Sequence, residues 1–258
     1  MSVMHRFSQL ELDSNQCNAW ISMSQARTVD YKHSAVILCD VWDRHWNTGS
    51  QKRLAGMLPR IQELINALRE KGAFILHAPS DTMAFYRDDP ARLRMMSAPS
   101  LEPHIVRNVE EKPFPLDASD GGNDANMALE CVDMPVWSRQ HPAIEINQET
   151  DGISDSGAEV YSYFKAHGII NVFLVGVHTN MCVMNRSFAI KNMVRWGFET
   201  ALVRDLTDPM YNPAMPPYVN REQAHELMVG YIEKFWCPSV LSTDVIADLM
   251  TDHMEVDV

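Results

Sequence analysis

The feature that most constrains this chain is a recurrence of short, uninterrupted apolar runs separated by amphipathic stretches. Ser34–Cys39 (SAVILC), Ala73–His77 (AFILH) and Asn171–Val177 (NVFLVGV) are too short for helices and carry no polar alternation. Runs of this kind are strands buried on both faces. Between them lie helical periods. Leu54, Met57, Leu58, Ile61, Leu64, Ile65 and Leu68 fall at helical spacing, and Gly72 ends that stretch. Asp155–His167, Asn180–Trp196 and Val219–Phe235 read as further helices. Val136–Arg139, Glu199–Val203 and Ser239–Ser242 complete a set of six strands. Alternating strands and helices specify an α/β fold with a doubly wound, mainly parallel six-stranded sheet flanked by helices.

The domain reading follows from that pattern. Residues 1–33 form an N-terminal extension without a clear period, expected to pack on the sheet edge or on a neighbouring subunit. Residues 34–250 form one domain, and 251–258 a tail. Within the domain, 81–135 is a loop-rich excursion holding Pro90, Pro99, Pro103, Pro113 and Pro115. Loops of that length are usually functional or disordered.

Charge and cysteine usage exclude several classes. The net charge of −12 repels phosphate backbones, so nucleic acid is not an expected partner. No apolar run is long enough to span a membrane. The first 33 residues lack the apolar core of a secretory leader. Five scattered cysteines (17, 39, 131, 182 and 237) form no CxxC pair and suit reduced thiols. The expectation is a cytoplasmic protein acting on a small molecule.

In a doubly wound sheet, ligands bind beyond the carboxyl ends of the strands where strand order reverses. That rule selects Asp40, His77, Arg139 with His141, and the turn Gly176–Cys182. Cys182 opens a helix, where the dipole and free N–H groups favour a thiolate. An aspartate from a neighbouring strand end accepts a thiol proton. Backbone N–H groups in the turn suit an oxyanion. Asp40-Val41-Trp42-Asp43-Arg44-His45-Trp46 reads as a pocket wall, with indole rings to stack a planar or cationic substrate. The alternative for these residues is a structured loop packed on the next helix.

The segments AVILCDVW (35–42), LVGVHTNMCV (174–183) and ALVRDLTD (201–208) resemble the isochorismatase-like cysteine hydrolases, over about residues 34–245. That family includes nicotinamidases, carbamoylsarcosine and ureidoacrylate amidases, and isochorismatases. The resemblance implies a Rossmann-like sheet, an Asp-Lys-Cys triad and an acyl-enzyme. It also implies a non-proline cis peptide at Val177–His178, an oxyanion hole from the N–H groups of His178 and Cys182, and a dimer or tetramer. Asp40 and Cys182 match two triad positions. The family lysine ends strand three, and no lysine occurs between Lys112 and Lys165. Arg139 is the match there, a cation that cannot act as a proton shuttle.

The resemblance therefore implies a cysteine-dependent hydrolase of a small amide, carbamoyl or imide. Asp40 is the base, Arg139 the cation and Cys182 the nucleophile. Trp42, Asp43, His45, Trp46, His77, Trp137, His141 and Asn180 are candidates to hold the substrate. No cofactor is expected. Two alternatives stand beside this reading. One is a binding protein of the same fold with an altered, inactive triad. The other is a metal-assisted or isochorismatase-type hydrolase, with Asp43, His45 and His77 as weak metal-ligand candidates.

Overall fold

The computed structural model describes residues 2–124 and 136–251. Cys131, the end of the 81–135 excursion and the tail beyond 251 lie outside the described residues. The chain builds an eight-stranded sheet in the order β2-β1-β8-β7-β6-β3-β4-β5. Two strands come from the N-terminal extension: β1 (Val3–Leu12) and β2 (Asn18–Arg27) form an antiparallel hairpin. β1 meets β8 (Ser239–Val240) antiparallel through Arg6 and Ser239. All other pairings are parallel. The sheet thus has eight strands where six were expected. The hairpin escapes a periodicity argument because both its faces are largely solvated.

β3 (Ser34–Cys39) is central, fully buried, and paired to β4 (Phe74–Ala78) on one side and β6 (Asn171–Val177) on the other. The chain runs β3-β4-β5 outward in one direction and β6-β7-β8 in the other. Strand order therefore reverses between β3 and β6. α1 (Thr48–Glu70) and α7 (Ser242–Thr251) cover one face. Leu54, Ile61, Leu64, Ile65 and Leu68 of α1 pack there against Val36, Leu38 and Val175. On the other face lie α3 (Gly157–Ala166), α5 (Ile190–Arg195) and α6 (Arg221–Phe235), packed on Ile37, Leu174 and Leu202. A short α2 (Pro90–Met96) interrupts the excursion.

The expected strand at Val136–Arg139 is not one. The strand beside β4 is β5 (Gly152–Ile153), and the 136–140 segment contributes only an isolated bridge between Trp42 and Gln140. The expected helix over Asn180–Trp196 is broken into α4 (Cys182–Asn185) and α5. Arg186 takes an extended backbone, φ −57° and ψ 152°, and the loop after it packs on α3. A Cβ on Gly157 would lie 2.2 Å from Ser187 O, so this contact needs glycine. β7 (Glu199–Asp208) runs beyond the expected Val203 to Asp208. No helix among the described residues is long and apolar enough to cross a membrane.

Candidate active site

The reversal point is shaped by two backbone features. Gly176 has φ +109°, and a Cβ there would meet Cys39 O at 2.0 Å, so β6 presses directly on the end of β3. A register shift in the β6–β7 ladder falls at the same point, between Leu174 and Gly176. Asp40 follows β3 with φ +51°, a left-handed conformation that Asp tolerates better than most residues. This turn brings the Asp40 carboxylate into the cleft above β6. The Val177–His178 peptide is cis.

Asp40 is wholly buried and held on two sides. Its Oδ1 accepts from Ser80 N–H at 2.8 Å. Its Oδ2 accepts from Arg186 Nε at 2.9 Å. Cys182 lies beside the same carboxylate and beside the His178 backbone, and both perturb its thiol. The second guanidinium edge of Arg186 reaches Asp81 at 3.4 Å, and its face lies 5.8 Å from the Trp42 ring centre. Cys182, Asp40 and Arg186 therefore form one cluster, with Arg186 bonded to Asp40 and Cys182 beside the carboxylate.

Burial pushes the Cys182 thiol up, and the neighbouring Asp40 charge adds to the effect, with Arg186 opposing both. Burial likewise raises Asp40, although Arg186 and the Cys182 and Ser80 donors pull it back. Burial thus opposes the thiolate that a helix start favours. α4 is four residues long, so its dipole is weak against the loss of solvent. The first α4 turn bonds the Met181 and Val183 N–H groups to His178 O.

Arg139 is not the cation at this site. It is exposed, with its guanidinium 5.4 Å from the Phe85 ring centre. The place is taken by Arg186, one helical turn after Cys182. A search at the end of the expected third strand misses it because 136–140 does not pair beside β4. The spacing from Cys182 to Arg186, i to i+4 at a helix start, was the available signal.

Several expected substrate ligands are committed to structure instead. His77 is buried, with Nδ1 against the Gln140 amide at 3.0 Å and Nε2 against Asp151 Oδ2 at 3.0 Å. Arg69 completes that cluster at 2.8 Å from Asp151. The Asn180 amide clamps the backbone of Met210, donating to its O and accepting from its N, both at 2.8 Å. Asp43 accepts from Ser138 N and Oγ at 2.9 and 2.7 Å. It thereby holds the 138–140 segment beside Asp40. His141 is half-buried, its N–H bonded to Val41 O at 2.7 Å and its Nδ1 accepting from Ala143 N. Asp43, His45 and His77 each have partners of their own, and no metal-holding cluster of acids, histidines and cysteines forms among the described residues.

The aromatic residues do converge. Trp42 and Trp137 stack with ring centres 4.0 Å apart and an 11° interplanar angle. His45 lies on this stack, 5.9 Å from Trp137, with Trp46 at 5.2 Å and His178 edge-on at 4.9 Å. Burial pushes His45 down to about 4. Burial, reinforced by His45, Arg53 and Arg221, drives His178 well below the ordinary histidine range. Both imidazoles are neutral at pH 7. Asp40, Trp42, His45, Val177 and His178 line a common narrow cleft. Trp137 Nε1, stacked on Trp42, and His178 Nε2, in the cleft lining, are buried without a hydrogen-bond partner among the described residues. Buried polar atoms are rarely left so.

The chain matches no protein-family model and no curated protein sequence. Among solved structures it is similar to a cysteine hydrolase from Pseudomonas syringae pv. phaseolicola. They share 16% identity over 86% of this chain and 95% of that one, with a TM-score of 0.53. It is also similar to an isochorismatase from Pseudomonas putida KT2440. The identity there is 11% over 84% of this chain and 92% of that one, with a TM-score of 0.52. At these identities the likeness is one of fold. The chain has the open α/β fold of those cysteine hydrolases and isochorismatases.

Proposed function

We propose that this chain, built on the fold of cysteine hydrolases and isochorismatases, is a cysteine-dependent hydrolase of a small amide, carbamoyl or imide substrate. The observation that carries this reading is the cluster of Cys182 with the buried, Arg186-bonded Asp40 at the point where strand order reverses. Cys182 Sγ attacks the carbonyl carbon as its proton passes to Asp40. The developing oxyanion lies against the N–H groups of His178 and Cys182. Asp40 then returns the proton to the leaving nitrogen, and a thioester remains on Cys182. Water attacks that thioester, giving up its proton to Asp40. The acid departs, and the proton returns to the thiol. A carboxylate whose pKa burial has raised is better matched to this shuttle than an ordinary aspartate.

Arg186 replaces Arg139 in this scheme. It keeps Asp40 ionised between proton transfers and takes no proton itself. The orphaned donors support a substrate in the aromatic cleft. Trp137 Nε1–H needs an acceptor, and a carbonyl or ring nitrogen supplies one. Neutral His45 and His178 favour an uncharged ligand.

The test is hydrolysis across a panel of small amides, ureides and imides. The native chain is expected to turn over at least one of them, unaffected by chelator. Cys182→Ala is expected to retain the fold by circular dichroism and to lose turnover. Quenched native enzyme is expected to carry the acyl mass on the peptide holding Cys182. Activity that survives Cys182→Ala, or that chelator removes, defeats the reading.

A further inference from the structure

The two edges of the sheet are built differently. β5, at one edge, is two residues long, and both are buried. β2, at the other, is ten residues long and paired to β1 along its whole length, and among the described residues no strand lies beside its outer edge. Natural edge strands are blunted by proline, lysine, bulges or brevity. β2 (NAWISMSQAR) has none of these; its one charge is Arg27 at its end. The hairpin also exposes Met4, Leu10, Leu12, Trp20, Ile21 and Met23.

We propose that this chain forms a two-fold dimer by pairing β2 antiparallel with β2 of a second copy, joining the two sheets into one. The occupant is argued from charge. With a net charge of −12, two copies repel over most of their surface. β2 carries no acidic residue, so it is the strand along which like-charged copies approach without repulsion. A two-fold axis normal to the sheet puts residues of the same face opposite one another, so the numbers of paired residues must add to an even sum. With Met23 on the axis, Ile21 stands opposite Gln25 of the second copy, and Ala19 opposite its Arg27. Glu11 neighbours Ala19 across the hairpin on that same face. The second copy's Arg27 then faces Glu11, and symmetry makes that attraction twice. The described residues of each chain offer one such edge, so the assembly closes at two.

Sedimentation of the full chain at micromolar concentration tests this. The native chain is expected to run as a dimer. Ile21→Lys/Met23→Lys changes only exposed side chains, and is expected to halve the apparent mass with an unchanged circular dichroism spectrum. Location is read by oxidation. Met23→Cys in a Cys17→Ser background is expected to form a disulfide-linked dimer, since residues on the axis fall within disulfide reach. Leu12→Cys in the same background, exposed on the inner strand, is expected to remain uncrosslinked. A monomeric native chain overturns the proposal. So does a dimer indifferent to the two lysines, failure of Met23→Cys to crosslink, or growth into fibres.

Discussion

Replacing Arg186 with methionine, beside the same change at Arg139, separates the cation the structure assigns from the one expected at a strand end. Arg186 donates to the buried Asp40 carboxylate at 2.9 Å, and its side chain is 30% exposed. Removing one partner of a fully buried pair costs about 3–5 kcal/mol, and a hydrogen bond to a charged group is worth about 1.5–3 kcal/mol. Arg186's access to solvent lowers the figure, so about 2–3 kcal/mol is expected at pH 7. That corresponds to a fall in Tm of roughly 5 °C or more in a chain of this size. Arg139 offers only an exposed cation–π contact with Phe85, worth about 0.5–1 kcal/mol. The two losses also differ in pH dependence. Asp40 is raised by burial above its unfolded value of 3.8. A group raised in this way favours folding fully below its unfolded pKa and loses that contribution as pH rises through the folded pKa. Without Arg186, Asp40 rises further and the loss is larger. The destabilisation by Arg186→Met is therefore expected to grow from pH 5 to pH 8, whereas that of Arg139→Met stays flat. Urea unfolding at several pH values reads both. Turnover is expected to fall about 100-fold or more with Arg186→Met and to change little with Arg139→Met, since an interaction worth about 2.7 kcal/mol in the transition state is a factor of 100. A larger effect at Arg139, or an Arg186→Met loss that shrinks as pH rises, refutes the assignment.

Three further changes probe the frame around the site. Asp151 is buried, and although burial alone raises it, His77 and then Arg69 bring it down to about 2. A lowered carboxylate stabilises the fold above its unfolded pKa and loses that contribution as pH falls through the folded value. Asp151→Asn is accordingly expected to cost about 2 kcal/mol at pH 7 in urea unfolding. The cost should disappear between the unfolded value of 3.8 and about 2. Gly176→Ala forces a Cβ to 2.0 Å from Cys39 O at φ +109°. It is expected to cost more than about 4 kcal/mol, read as insoluble expression or a collapsed Tm. Trp137→Phe keeps the stack on Trp42 and removes the orphaned N–H. Stability is expected to stay within about 0.5 kcal/mol, with a several-fold rise in KM for the substrate found in the panel; an unchanged KM separates Trp137 from substrate recognition.

What the sequence made legible follows the physics of each signal. β3, β4 and β6 were readable because strands buried on both faces must be continuously apolar, and they carry Asp40 and the Gly176–Cys182 turn to the reversal point. Val136–Arg139 misled because Val-Trp-Ser-Arg looks like a strand locally, while the partner of β4 is settled by a long-range contact that leaves almost no local trace at Gly152–Ile153. The hairpin was illegible for the opposite reason: a solvated ribbon has no buried face to impose alternation. His77 and Asn180 stand at strand ends, as site residues do. Yet each meets a buried partner, Asp151 for one and the Met210 backbone for the other, from a distant part of the chain. Position alone cannot separate a residue that greets substrate from one that ties loops together.

The displaced cation alters the chemistry as well as the map. A lysine at the third strand end can take and give a proton; a guanidinium at Arg186 cannot. In the proposed cycle every proton then rests on Asp40. Burial raises Asp40 and Cys182 together, and Arg186 opposes the rise at both. On the proposed reading, Cys182 becomes a nucleophile at the moment of attack, when its proton leaves as the carbon–sulfur bond forms. Such a thiol resists small alkylating agents near neutral pH while remaining competent toward a bound carbonyl whose oxygen the His178 and Cys182 N–H groups can hold. Slow alkylation of Cys182 is therefore what this site requires, and it is compatible with fast turnover.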